Sequence, residues 1–272
     1  MLAGWHSRGA GGAGEVITAW SVSTAVFLQS FSVAAKDSIP TDVTFKPDGL
    51  KMYVIGDSSN SVHEYNLSTA WSVSTAVFLQ SFSVAAKEGQ PTDVTFKPDG
   101  LKMYVIGYSS DSVHEYNLST AWSVSTAVFL QSFSVAAKET VPFGVTFKPD
   151  GLKMYVIGDS SNSVHEYNLS TAWSVSTAVF LQSFSVAAKE TSPFGVTFKP
   201  DGLKMYVIGD SSNSVHEYNL STAWSVSTAV FLQSFSVAAK ESQPFGVTFK
   251  PDGLKMYVIG YSSGSVHEYN LG

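Results

Sequence analysis

Five His-Glu dipeptides, beginning with His63-Glu64 and recurring every 51 residues, are the first groups in this 272-residue chain whose chemistry suggests a function. Imidazole and carboxylate are both donors to zinc, so the pairs pose a metal question. Two aspartates one period apart, Asp42 and Asp93, could face a common opening and hold a hydrated cation, although two ligands alone make a weak site. A third set mixes aromatic rings with carboxylates: Asp57, Tyr108, Phe143, Phe194, Phe245 and Tyr261. Rings flanked by carboxylates and Ser/Asn hydrogen-bonders suit sugars or peptide segments, in which apolar faces and polar edges are read together. Other chemistry is missing from the sequence. There is no cysteine and no P-loop.

What these residues can do depends on the elements that position them, and those are set by a repeat. Residues 18–68, 69–119, 120–170, 171–221 and 222–272 are five nearly identical units of 51, preceded by a Gly-rich leader, residues 1–17, that reads as a flexible tail. Within a unit, Asp42–Lys46 alternates apolar and polar residues and ends in the Pro47-Asp48-Gly49 turn. Lys51–Ile55, Val62–Leu67 and Val77–Val84 supply three more strands, with Gly56–Asn60 and the longer Ser68–Thr75 as connections. Four antiparallel strands, A to D from the axis outward, form one small twisted sheet. Both its faces carry apolar side chains, so neighbouring sheets must cover them. The sequence therefore predicts an all-β fold, a five-bladed β-propeller with four antiparallel strands per blade. The phase of the repeat adds one detail. The ordered part opens on a D-type segment, Val26–Val33, and ends after a C-type strand, so the N-terminal D strand should complete the last blade and close the ring.

The segment VTFKPDGLKMYVIGDSSNSVHEYNLST resembles the repeat of YVTN/NHL-like β-propellers, in which a PDG hairpin precedes a YV strand. The match covers strands A to C of every unit. It implies the propeller fold, and it leaves open scaffolds, binding modules and lactonase-type enzymes. The WD dipeptide is absent, so the WD40 pattern is not met.

This placement weighs against the metal reading of the His-Glu pairs. Adjacent strand residues point to opposite faces. Strand C also lies two strands from the axis, at ~4.8 Å per strand, which keeps its five copies far beyond zinc-bonding distance of one another. Inter-blade packing is the expected role, and neither metal nor cofactor is expected. Apart from the terminal Gly272, the units differ from one another at seven positions only, which in the first copy are Asp37, Ser38, Ile39, Thr41, Asp42, Asp57 and Asn60. All belong to the D–A connection and its exit or to the B–C turn, which emerge on the same side of the disc. The PDG turn and the long C–D connection never vary. Either drift in unpacked loops or a working face accounts for this. The phenylalanines could serve that face or simply plug the gaps between blades.

A net charge of -6 argues against a nucleic-acid partner. No segment has signal-peptide or membrane-helix character, and the compartment is not indicated. The reading is a monomeric, non-enzymatic binding or display scaffold, with a glycan or peptide on the variable face. A symmetric propeller without a ligand (newly amplified or designed) and a propeller lactonase or hydrolase are the alternatives.

Overall fold

The computed structural model describes residues 19–272; the leader lies outside the described residues. Each unit becomes a blade because strand-forming runs are broken at fixed intervals by turn chemistry. In the first complete blade, strands A to D are Pro40–Phe45, Lys51–Gly56, Ser61–Leu67 and Ala76–Ser83, each antiparallel to the one before. The A–B hairpin is set by its PDG turn. Asp48 Oδ1 accepts from the Leu50 amide at 3.0 Å, and Gly49 takes a φ of 72°. The C–D connection holds a feature the composition does not announce. Trp71 adopts a φ of 63° ahead of a 3-10 turn, Val73–Thr75, and its indole lies against Gly49, where a Cβ would overlap the ring. Glycine is required there for space as well as for backbone freedom.

One blade cannot bury both its faces, and the core is accordingly divided into five equivalent clusters between neighbours. Tyr53, Ile55 and Val62 of the first blade pack on Phe96, Met103 and Val105 of the second. The buried Tyr53 hydroxyl donates to the Trp122 carbonyl across that interface at 2.7 Å. Glu64, the acidic half of the His-Glu pair, is fully buried. It is ion-paired with Lys51, accepts from Gln80 Nε2 at 2.7 Å, and accepts from the Val124 amide of the next blade at 3.1 Å. A carboxylate can be buried only with partners of this kind. Its role is to staple one blade to the next.

Ring closure follows the predicted offset. Ala25–Ser32 supplies strand D to the last blade, whose strands A to C are Pro244–Phe249, Lys255–Gly260 and Ser265–Leu271. Its register runs from Ala25↔Leu271 to Ser32↔Ser265, with a bulge between Phe27 and Gln29. The covalently continuous first blade has the same pairing, Ala76↔Leu67 to Ser83↔Ser61, with its bulge between Phe78 and Gln80. The last blade is equivalent to the others although its chain is broken.

Candidate functional site: the channel mouth and its rim

Strand A begins earlier than the alternation suggests, at Pro40, so the variable pair Thr41-Asp42 lies inside the innermost strand. Register slips between Pro40 and Asp42, and likewise between Pro142 and Gly144, making the intervening residue a bulge. A bulge re-aims its side chain, and here the outcome depends on residue type. Thr41 turns inward, its hydroxyl donating to the Ile55 and Pro91 carbonyls at 3.3 and 3.4 Å. Phe143, Phe194 and Phe245 instead gather at the axis. Phe143 and Phe194 are 4.4 Å apart between ring centroids, Phe194 and Phe245 stack at 4.3 Å, and Tyr108 joins at 5.5 Å from Phe143. The phenylalanines pack on one another at the mouth, half-buried, and do not fill the gaps between blades.

The next residue along each strand faces the channel itself. Asp42 and Asp93 are brought together there, lining the same cavity, and each carboxyl influences the other's protonation. Asp93 Oδ2 also accepts from the Val145 amide at 2.7 Å. The other three inner strands carry glycine at this level for a steric reason. A Cβ on Gly246 would stand 2.5 Å from Asp42 Oδ1, and Cβ atoms on Gly144 and Gly195 would stand 2.7 and 2.8 Å from the carbonyls of Phe194 and Phe245. The channel has room for two carboxyls, and Thr-Asp and Phe-Gly are alternative solutions to one packing problem. Below the pair is a cavity of about 40 Å³, lined by valines and by one threonine from each blade, such as Thr44 and Thr95.

Burial pushes the Asp42 carboxyl up to about 6. Asp93 is raised as well, first by burial and then by the neighbouring Asp42 charge. Neither has a cationic side chain among the residues lining the cavity. With both carboxyls raised, the pair favours retaining a proton, and no group of three or more metal-ligating side chains is assembled among the described residues.

On the rim, the D–A connection is tied to the B–C turn, confirming that the two share a face. The sequence reading passed over the residues that tie them. Position 37 varies between Asp and Glu, yet all five copies (Asp37, Glu88, Glu139, Glu190 and Glu241) keep a buried carboxylate. In the second blade Glu88 accepts from the hydroxyls of Ser109 and Ser110. Burial would raise its pKa, but hydrogen bonds involving His114, Ser109 and Ser110 prevail and hold it at about 2. Gly107 fits because a Cβ would collide with this side chain and with the Gln90 carbonyl. The invariant acidic character of the position was the available signal.

The histidines complete this brace. Ser59 Oγ lies 2.8 Å from His63 Nε2 and 2.6 Å from Asp37 Oδ2. The composition is that of a hydrolytic triad, but the geometry is not. The acid bonds the serine directly, while His63 Nδ1, which an orienting carboxylate would occupy in a triad, has no partner. His63 and Glu64 point to opposite faces of strand C, as expected.

Of the remaining candidates, Asp57 sits on the B–C turn with the Tyr108 hydroxyl 3.5 Å from its Oδ2, while Gln90 Nε2 donates to that hydroxyl at 2.7 Å. Tyr261 is 45% exposed on the fifth blade and stands outside the aromatic cluster. The channel mouth therefore carries one aromatic patch that breaks the fivefold symmetry of the molecule.

These features define a five-bladed β-propeller. No protein-family model and no curated protein matches the sequence, so the YVTN/NHL-like repeat remains a resemblance. Among solved structures, the chain is similar to a functionally unknown protein from Desulfotomaculum acetoxidans DSM 771, with a TM-score of 0.49 and 16% identity, covering 81% of this chain and 62% of that one. It is similar to a protein from Lactobacillus plantarum, with a TM-score of 0.51 and 19% identity, covering 72% and 55%. A third is a proposed 6-phosphogluconolactonase from Bacteroides uniformis ATCC 8492, with a TM-score of 0.49 and 15% identity, covering 86% and 72%. The chain thus spans less than two thirds of the first two proteins. Likeness at these identities concerns the fold alone. No helix among the described residues is long and apolar enough to cross a membrane.

Proposed function

We propose that this propeller is a non-enzymatic binding module that holds a glycan or peptide segment on the face bearing its D–A and B–C connections. The observation that carries the reading is the patch of Tyr108, Phe143, Phe194 and Phe245, contiguous at 4.3–5.5 Å between successive rings, at the centre of that face. Aromatic rings with carboxylates beside them supply the apolar platform and polar edge that such ligands use. The opposite face, made of the PDG turns and the Trp-bearing connections, is the same in every unit and offers nothing that breaks the symmetry. The Asp42–Asp93 pair supports a binding role over catalysis. It is buried among glycine, valine and threonine, with no imidazole or amine among the residues lining its cavity to exchange protons with a substrate.

The test is a glycan and peptide array probed with the labelled protein, followed by affinity measurement on the tightest ligand. Tyr108→Ala and Phe194→Ala should each weaken that ligand by at least roughly tenfold, as is usual when a central aromatic anchor is removed. An array silent for the parent protein would favour the ligand-free symmetric scaffold.

A further inference from the structure

The charges of this molecule are sorted by face. On the side of the A–B and C–D connections, every lysine is paired. Lys46 meets Asp48 at 2.7 Å and Lys51 meets Glu64, and the same two pairs recur in each of the other four blades. That side is neutral. Since Arg8 and Glu15 in the leader cancel, the whole formal charge of -6 belongs to the face with the aromatic patch.

It is also spread unevenly there. The first blade sets Asp37, Asp42 and Asp57 against Lys36, and the second sets Glu88, Asp93 and Asp111 against Lys87, a formal excess of two negative charges each. The third and fourth blades have an excess of one, through Asp159 and Asp210, and the fifth has none. A proton retained by the raised Asp42 and Asp93 pair would trim the acidic sector without reversing it.

The lysines of this face do not reach its centre. Each is drawn outward over a phenylalanine of its own blade's outermost strand, Lys36 over Phe78 at 3.9 Å and Lys87 over Phe129 at 4.2 Å. The inner carboxylates are left uncompensated. One oxygen of Asp111 and one of Asp159 have no hydrogen-bond partner. Burial and the neighbouring Asp37 charge raise Asp57, and burial with the Glu88 and Glu139 charges raises Asp111. An incoming cation would relieve this crowding.

We infer that the occupant of the aromatic patch is a basic peptide segment, with its cationic side chains over the first two blades and an apolar side chain on the phenylalanine cluster. The inference rests on the binding-module reading and narrows it. Charge complementarity selects a cationic partner and excludes an acidic one, and the apolar cluster beside the acidic sector selects a peptide over a simple polyamine.

The experiment uses the full chain and two fluorescein-labelled hexapeptides, one alternating lysine with leucine and phenylalanine, the other with glutamate replacing lysine. Fluorescence anisotropy should detect the lysine peptide only, and more weakly in 300 mM than in 30 mM salt. The double variant Asp57→Asn with Asp111→Asn removes two charges from the proposed face; asparagine already stands at the position of Asp111 in three other units, as Asn60, Asn162 and Asn213. It should weaken binding roughly five- to tenfold. Asp48→Asn with Asp99→Asn makes the same change in net charge on the opposite face and should leave affinity unaltered.

Equal weakening by both double variants, or equal binding of the glutamate peptide, overturns the inference. A neutral glycan bound by the parent and lost in Tyr108→Ala also overturns it, while the binding module survives. If neither peptide nor any array probe binds, both readings fall together.

Discussion

A chain lacking residues 1–36 should oligomerise or aggregate. That deletion removes the closing strand Ala25–Ser32 along with Trp20 and Val22, leaving the edge of Ser265–Leu271 unpaired. The loss extends beyond one strand. The Trp20 carbonyl accepts from Tyr206 of the fourth blade at 2.7 Å, the Val22 amide donates to Glu217 at 3.0 Å, and Gln29 donates to Ser72 of the first blade at 3.1 Å. Trp20, Val22 and Val33 are each at most 8% exposed, and burial of such side chains contributes ~1.5–3 kcal/mol apiece. The sum is comparable with the ~5–15 kcal/mol that holds a typical domain together. Size-exclusion chromatography with light scattering should show oligomers or aggregate, and a peptide covering residues 18–36, added in excess, should recover the monomer. A monomeric deletion product with the parent's melting temperature would refute closure by this strand.

Asp42→Asn should stabilise the protein at pH 8 and leave it nearly unchanged at pH 4. The folded Asp42 carboxyl is raised to about 6, with Asp93 raised beside it, so the folded state keeps protons that the unfolded chain gives up near pH 4. The stability of the pair is complete below that point and is lost as pH rises through about 6 and the higher range of Asp93. A shift of the size seen at Asp42 corresponds to about 3 kcal/mol, or roughly 6–10 °C in melting temperature for a chain of this length. An asparagine at position 42 removes one titrating group and can donate to the remaining carboxylate. The glutamates at about 2, such as Glu88 and Glu139, act in the opposite direction. Their contribution is present above the ordinary glutamate range and is lost as pH falls through about 2. Thermal melts from pH 3 to 9 should therefore give the parent a maximum near pH 5, and the variant a plateau extending to alkaline pH. Parallel curves for the two proteins would count against the retained proton.

The blade and its closure were legible because they depend on local patterns repeated five times. Alternation marks Lys51–Gly56, the Pro-Asp-Gly run marks the hairpin, and the phase of the repeat marks the missing D strand. The channel was less legible. Thr-Asp and Phe-Gly read as loop chemistry, because a bulge cannot be seen in a strand only six residues long. That Asp42 needs the glycine at 246 is a contact between residues some two hundred positions apart, made only when the ring closes. The brace of Glu88 on Ser109, Ser110 and His114 was hidden for another reason. Comparing the copies directs attention to what differs, while the shared carboxylate lay inside a position counted as variable.

The closing pair has one more property, which concerns force. The strands Ala25–Ser32 and Ser265–Leu271 run antiparallel, and Ala25↔Leu271 is the pair nearest both chain ends. Tension applied between the termini would thus load the hydrogen bonds one pair at a time, in the manner of a zip, and not all together in shear. A ring held together by five equivalent interfaces has a single seam at which a modest pull can undo it. Anything tethered to both ends of the chain would be acting on that seam.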